Sequence, residues 1–206
     1  MNQSSRLAEA AAQNPLGGGL AQSLAAQPCS VVIFGGSGDL AKRKLVPALY
    51  NLMLDGVLPA SFAVLGTGRK PYTDDSFREL SKEGINRFSR RPVDGEHWPE
   101  FEKSIFYTAG GIDDLDSFVN LRKRLEEIES ARGLTGNRVF YLSIPPSQIQ
   151  SCVRNLAAAG LITPVDGGGP FSRVIVEKPI GHDLASARAI NATLAEVLDE
   201  RQIFRI

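Results

Sequence analysis

The amino-acid sequence predicts an α/β fold built on a doubly wound parallel sheet. Three observations carry this prediction. Short apolar runs rich in β-branched residues alternate with longer segments of helical periodicity. The short runs are apolar almost throughout, which is typical of strands buried on both faces. A glycine-rich turn joins the first run to the first helical segment.

The composition allows one substantial domain. The chain has 206 residues, of which 43% are hydrophobic and 22% charged, and these values are typical of globular proteins. Residues 1–28 are rich in Ala, Gln, Ser and Gly, and we predict that they form a disordered tail. The domain itself is predicted over residues 29–206.

Charge and cysteine content exclude several classes of function. Lys and Arg number 23 and Asp and Glu number 23, so we expect no nucleic-acid or membrane partner. The two cysteines, Cys29 and Cys152, form no CxxC pair, so we expect no disulfide framework and no metal site. No apolar run approaches the roughly 20 residues of a membrane span, and the N-terminus lacks signal-peptide features. A cytoplasmic location is expected.

The elements follow one another in regular alternation. The first strand is CSVVIF at 29–34, and the helical segment 40–56 follows it and ends in Gly. Pro47 is expected near the start of that helix, because an interior proline would break it. Further strands are predicted at 61–66, 103–108, 137–144, 172–178 and 202–206, and further helices at 73–89, 113–133, 146–160 and 183–201. Six strands make a complete Rossmann-type domain of order 3-2-1-4-5-6.

The turn GGSGDLA at 35–41 lies where a dinucleotide-binding motif belongs. Read as Gly36-x-Gly38-x-x-Ala41, it fits the pattern GxGxxG/A. The glycines allow a tight turn and close approach of the backbone to a pyrophosphate, and the small third residue lets the helix pack on the strand. Ser37 adds a hydroxyl for a phosphate oxygen. The alternative is an ordinary turn between a strand and a helix.

The residues after the second strand indicate which coenzyme is bound. NAD-binding versions of this fold carry an acidic residue there, which accepts a hydrogen bond from the ribose 2′-hydroxyl. Here the strand continues into GTGRK, which has no carboxylate and ends in Arg69 and Lys70. The guanidinium group suits a phosphate, so NADP is the predicted coenzyme. The alternative is a pair of solvated cations on a loop.

Four stretches together resemble the glucose-6-phosphate dehydrogenase family: GGSGDLAKRKLVPALYNL, the GTGR turn, RVFYLSIPP and VIVEKPIG. The resemblance covers Ser30 to Ile206, and GDLAKRK and EKPIG are its most specific motifs. It implies an enzyme that oxidises glucose 6-phosphate to 6-phosphogluconolactone with NADP, at the start of the oxidative pentose phosphate pathway. It also implies that the full-length enzyme is a homo-oligomer.

The same resemblance implies which residues bind NADP. They comprise the glycine turn and the start of its helix, the arginine after the second strand, two small residues after the third strand, and a lysine after the fifth. The set is Gly35, Gly36, Ser37, Gly38, Asp39, Leu40, Ala41, Lys42, Arg69, Ala109, Gly110 and Lys178.

Lys178 of the EKP motif is the expected catalytic residue, because the family's lysine contacts both sugar and nicotinamide. It follows the fifth strand at the carboxyl edge of the sheet, and Pro179 favours an extended conformation that directs the side chain over the cleft. Glu177 is a candidate ion-pair partner for Lys178.

The resemblance implies that the other catalytic groups lie beyond Ile206. They are a histidine base in a second α+β domain, the Asp that orients it, and the residues that bind the sugar phosphate. The two histidines present, His97 and His182, are expected at the surface or at a helix start. We therefore expect no general base within the chain and no activity from the chain alone.

Two further hypotheses remain open. A sugar oxidoreductase of the glucose–fructose oxidoreductase type also carries an EKP motif, although a plainer GxGxxG is expected there than GDLAKRK. A catalytically inactive NADP-binding module, or a truncated fragment, would keep the fold without the chemistry. Activity measured with and without the missing half distinguishes the inactive module, and a screen of sugars distinguishes the other enzyme.

Overall fold

One parallel sheet organises the molecule. The computed structural model describes residues 26–165 and 168–206, and in this part six strands pair in the order β3-β2-β1-β4-β5-β6. All five pairings are parallel. The strands are β1 (Cys29–Phe34), β2 (Phe62–Gly68), β3 (Ile105–Ala109), β4 (Arg138–Leu142), β5 (Ser172–Val176) and β6 (Ile203–Arg205). The predicted fold class and strand order are confirmed.

The helices connect successive strands. They are α1 (Val46–Leu54), α2 (Asp74–Phe88), α3 (Trp98–Glu102), α4 (Leu115–Arg132), α5 (Pro146–Ala158) and α6 (Leu184–Val197). A short 3₁₀ turn, Glu200–Gln202, precedes β6. Helix α3 was not predicted from the sequence, because its five residues are too few to show helical periodicity. The predicted tail lies outside the described residues except for 26–28, which are exposed.

The strands alternate their side chains between two apolar layers. In β2, Ala63 and Leu65 face the layer built with α4, α5 and α6, whereas Phe62 and Val64 face the layer built with α1, α2 and α3. Because side chains alternate with period two, a strand buried on both faces must be apolar at every position. This explains the continuous apolar runs in the sequence.

The segment after β1 departs from a regular α-helix. Residues Ala41–Leu45 form a π-helical turn, in which the Val46 N–H donates to the Ala41 carbonyl, and α1 then begins at Val46. Residues 39–54 are helical without a break, so the helix predicted from 40 is confirmed. The expectation that Pro47 lies near the start of that helix is wrong, because Pro47 follows the π-helical turn, well inside the helical segment. A proline has no N–H to donate, so the irregular turn precedes it.

No helix in the described part of the chain is long and apolar enough to cross a membrane.

Candidate coenzyme-binding site

The glycine turn is held between two neighbouring strands. The N–H groups of Gly35 and Gly36 donate to the Thr67 carbonyl of β2 at 2.9 and 3.0 Å. Gly35 has φ +79°, and a Cβ there would lie 2.3 Å from the Ser143 carbonyl oxygen after β4. Only glycine fits this position, because a side chain would be strained and would also clash with the backbone.

The other small residues of the motif allow equally close approaches. A Cβ on Gly36 would lie 2.6 Å from the Gly66 Cα, so the turn crosses β2 in backbone contact. The Gly38 N–H donates to the Gly35 carbonyl at 2.8 Å and closes the turn. Ala41 is fully buried against the sheet. This is the cradle that a dinucleotide pyrophosphate requires, so the residues fit such a group.

A cleft of about 540 Å³ opens beside this turn, at the carboxyl ends of β1 to β4. Five of the residues singled out from the sequence line it together: Gly35, Ser37, Gly38, Arg69 and Gly110. The ends of β1 and β2, the β3–α4 connection with the first half of α4, and the residues around the start of α5 complete the wall. These additional lining residues are Phe34, Thr67, Gly68, Lys70, Gly111, Ile112, Asp113, Asp114, Ser117, Phe118, Leu121, Ser143, Ile144, Pro145 and Gln148.

Several predicted site residues do not line the cleft. Lys42 points to α2, where its Nζ lies 2.9 Å from Glu83 Oε2. Asp39 is exposed and accepts a 3.4 Å hydrogen bond from Arg43. Gly36, Leu40, Ala41 and Ala109 shape the backbone around the site without contributing to its lining.

Arg69 and Lys70 form the turn after β2, and both border the cleft. Both side chains are exposed, and neither makes a salt bridge with any residue of 26–165 or 168–206. An unpaired guanidinium at the mouth of a cleft is available to a phosphate group of a ligand.

The end of β3 approaches β2 through small residues. The Gly110 N–H donates to the Gly68 carbonyl at 3.0 Å. The Ser117 hydroxyl then accepts from the Gly111 N–H at 3.1 Å and donates to Asp114 Oδ2 at 2.6 Å. The hydrogen bond from the Ser117 hydroxyl, followed by those from the backbone N–H groups of Asp116 and Ser117, lowers the pKa of the Asp114 carboxyl. Sequence reasoning missed Ser117 and Asp114, whose only signal was the acidic start of the predicted helix 113–133.

Lys178 lies two strands from β1, past β4, and outside the cleft lining. Its N–H donates to the Ile206 carbonyl at 2.9 Å, and the Ile206 N–H donates to the Val176 carbonyl at 3.1 Å. The Lys178–Pro179 peptide bond is cis. The backbone of this exposed lysine is therefore held at the carboxyl edge of the sheet by β6.

Glu177 has a different partner from the one suggested by sequence. Its Oε1 accepts a 2.5 Å hydrogen bond from the Tyr141 hydroxyl of β4, and no hydrogen bond or salt bridge to Lys178 is found. Burial raises the pKa of Tyr141, and the hydrogen bond and charge of Glu177 raise it further.

Neither histidine lies at the cleft. His97 is the N-cap residue directly before α3, and its Nδ1 lies 3.0 Å from the Asp94 carboxylate. His182 is exposed just before α6, and its N–H donates to the Ser186 hydroxyl at 2.9 Å. Across the described residues, no group of three or more His, Cys, Asp or Glu side chains could hold a metal ion.

The fold and this site define a dinucleotide-binding domain of the Rossmann type. The parallel sheet, the glycine turn at its centre and the cleft at the carboxyl ends of the strands are the features of that class. Residues 32–206 match the model of the family described as glucose-6-phosphate dehydrogenase, NAD binding domain. The chain belongs to the glucose-6-phosphate dehydrogenase family, which is a family of oxidoreductases.

Individual relatives agree with this assignment. The chain is 38% identical over 181 residues to glucose-6-phosphate 1-dehydrogenase 2 of Mycobacterium bovis, which is 88% of this chain and 35% of that protein. It is 37% identical over 190 residues to the Chlamydia pneumoniae enzyme, covering 92% of this chain and 37% of that one. The chain therefore spans little more than a third of the length of these relatives.

A solved structure shares the fold. It is described as glucose-6-phosphate dehydrogenase in complex with its substrate glucose-6-phosphate, and it matches with a TM-score of 0.73 and 32% sequence identity. The match covers 87% of this chain and 36% of that one.

Proposed function

We propose that this chain is the coenzyme-binding part of an NADP-dependent glucose-6-phosphate dehydrogenase. The reaction is the oxidation of glucose 6-phosphate at C1 to 6-phosphogluconolactone, with hydride transfer to NADP, in the oxidative pentose phosphate pathway. The family assignment and the substrate named for the solved relative support this substrate.

One observation carries the choice of NADP. Arg69 follows β2, faces the cleft and has no salt-bridge partner in the described part of the chain. In this fold the residue after β2 lies beside the adenosine ribose, where NAD-binding domains place a carboxylate. A guanidinium there favours a 2′-phosphate, and Lys70 beside it adds a second positive charge.

The glycine turn has a separate role in this proposal. Gly35, Gly36 and Gly38 lack side chains, so the backbone of the turn can lie close to the pyrophosphate, and Ser37 offers its hydroxyl to a phosphate oxygen. The bound coenzyme supplies the hydride acceptor. The protein contributes its position and orientation at the carboxyl edge of the sheet.

Lys178 is the residue proposed to contact both the sugar and the nicotinamide. Its backbone is held between β5 and β6, and its exposed side chain is free to reach a sugar hydroxyl. As an ammonium group it would orient the reacting hydroxyl rather than remove its proton. Within 26–165 and 168–206, neither histidine lines the cleft, so neither is proposed as the base.

We also propose that the full-length enzyme is soluble, lies in the cytoplasm and forms homo-oligomers. Both cysteines are free thiols, which suits a reducing compartment. Fractionation of the native cells and light scattering of the native enzyme would test these two points.

Binding of the two coenzymes tests the proposed function. Isothermal titration of the purified chain should give tighter binding of NADP than of NAD. Equal affinities would show that Arg69 and Lys70 do not contact the coenzyme, and failure to bind either coenzyme would overturn the dinucleotide site itself.

A further inference from the structure

Tyr107 lies beneath the two turns that form the coenzyme site. It is in β3, where it pairs in register with Gly66 of β2, and only 4% of its surface is exposed. A Cβ on Gly66 would lie 3.1 Å from the Tyr107 ring, and a Cβ on Gly68 would lie 3.2 Å from its hydroxyl. The two glycines of the GTG sequence therefore leave the space in which this tyrosine lies along β2.

The Tyr107 hydroxyl lies between the two turns and bonds one of them. It donates a 2.9 Å hydrogen bond to the carbonyl oxygen of Lys70, the residue after Arg69. Burial raises the pKa of this hydroxyl, and the nearby Ser37 side chain of the glycine turn partly offsets that rise. Both hydroxyls approach Gly68, because a Cβ there would lie 3.6 Å from Ser37 Oγ. One buried hydroxyl thus bonds the turn at 69–70 and lies beside Ser37 of the glycine turn.

The rest of Tyr107 is held firmly. Its N–H donates to Asp74 Oδ1 at 2.8 Å, and Asp74 Oδ2 lies 2.6 Å from the Arg124 guanidinium of α4. The ring packs on Phe77 at 4.9 Å and meets Tyr72 edge-on at 5.3 Å between centroids. Because these contacts fix the ring, the Tyr107 hydroxyl has a fixed position, and its hydrogen bond restrains the exposed turn at 69–70.

We propose that Tyr107 is a positioning residue for coenzyme selection, whose hydroxyl holds the Arg69–Lys70 turn at a set distance from the phosphate-binding Ser37 turn. This inference rests on the proposed function of Arg69. Tyr107 itself does not line the cleft. It acts through the Lys70 carbonyl, so that Arg69 meets a 2′-phosphate without the cost of ordering a loose turn.

Tyr107→Phe is the direct test, because it removes the hydroxyl and keeps the buried ring. The variant chain should bind NADP about threefold to tenfold more weakly, the effect of one lost neutral hydrogen bond. Its NAD affinity should change by less than about twofold, since NAD lacks the 2′-phosphate that Arg69 contacts. Isothermal titration with both coenzymes measures the ratio, which a general loss of stability would not alter.

Tyr72→Phe is the matched control. Tyr72 belongs to the same aromatic pair, but its hydroxyl makes no hydrogen bond with any residue of 26–165 or 168–206. The control should keep the parent preference for NADP. Equal weakening of both coenzymes by Tyr107→Phe, or an unchanged preference, would overturn the proposed role of Tyr107.

The same measurements in an Arg69→Ala background show whether Tyr107 acts through the turn. With the guanidinium gone, adding Tyr107→Phe should change NADP affinity by less than about twofold, because interacting residues are not additive. A full and independent loss in the double variant would refute positioning through Arg69. A parent chain with no preference for NADP would instead refute the proposed function, together with the inference that rests on it.

Discussion

Tyr141 and Glu177 join two neighbouring strands at the carboxyl edge of the sheet by a 2.5 Å hydrogen bond. Tyr141 lies in β4, and Glu177 follows β5 directly before Lys178. Because the hydroxyl is the donor, this hydrogen bond stabilises the protonated form of Tyr141. The bond also fixes the residue that precedes the proposed catalytic lysine.

This pair predicts a loss of stability in alkaline solution. Burial, and then Glu177, raise the pKa of Tyr141 above the 10.0 of a free tyrosine. Above about pH 10 the unfolded chain releases this proton while the folded chain retains it, so the free energy of unfolding falls as pH rises. Urea denaturation at pH 8, 10 and 11 should show the decline, and Tyr141→Phe should make it shallower. The same slope in both proteins would contradict the assignment.

Arg69→Ala should remove most of the preference for NADP. A hydrogen bond between charged groups contributes about 1.5–3 kcal/mol, so NADP should bind roughly tenfold more weakly or worse. NAD affinity should hardly change. Lys103→Ala is the control. Lys103 is an exposed cation just before β3, so it lies at the amino ends of the strands, away from the cleft at their carboxyl ends. Equal effects of the two substitutions on NADP binding would indicate general electrostatic attraction instead of a specific contact.

Gly35→Ala should lower the free energy of unfolding for two reasons, the positive φ of Gly35 and a steric clash of the new Cβ. Gly35 and Gly56 both have positive φ, but a Cβ on Gly56 meets nothing within 4 Å, whereas one on Gly35 meets the Ser143 carbonyl at 2.3 Å. Gly56→Ala should therefore cost about 1–2 kcal/mol and Gly35→Ala about 2–5 kcal/mol. Urea denaturation measures the free energy of unfolding of both variants. Similar losses would mean that the backbone at Ser143, after β4, shifts to relieve the clash at little cost.

Lys178→Ala should abolish turnover without unfolding the domain. In a catalytically complete enzyme that carries this domain, kcat should fall on the order of a hundredfold or more, because the reacting hydroxyl would lose its orientation. The exposed side chain makes no salt bridge in the described part of the chain, so the thermal midpoint should stay within about 2 °C. A near-normal kcat with glucose 6-phosphate would show that Lys178 has no catalytic role.

Local motifs made part of the site predictable. The Gly35–Ala41 turn and Arg69 are each recognisable within a few consecutive residues, and the order of strands places both at the carboxyl edge. Their chemistry depends on backbone conformation and on one side chain, so no distant partner had to be known. The cleft does bring Gly35, Ser37, Gly38, Arg69 and Gly110 together.

Lys42 shows the limit of that reasoning. Its position in the GDLAKRK motif suggested the coenzyme, yet its side chain turns to Glu83 of α2. The π-helical turn at Ala41–Leu45 changes the direction of successive side chains, and a sequence pattern assumes regular helical geometry. Its assignment as a coenzyme ligand stays a prediction.

The sequence by itself determined the fold, because strands buried on both faces must be apolar throughout and helices between them must be apolar on one side. It also determined the glycine turn and the cation after β2. Only the tertiary structure decided that Tyr107 supports the Arg69–Lys70 turn and that Tyr141 bonds Glu177. The partners in these two pairs are 37 and 36 residues apart along the chain. They meet because each crossover returns the chain to the same edge of the sheet and parallel pairing then sets the neighbouring strands in register.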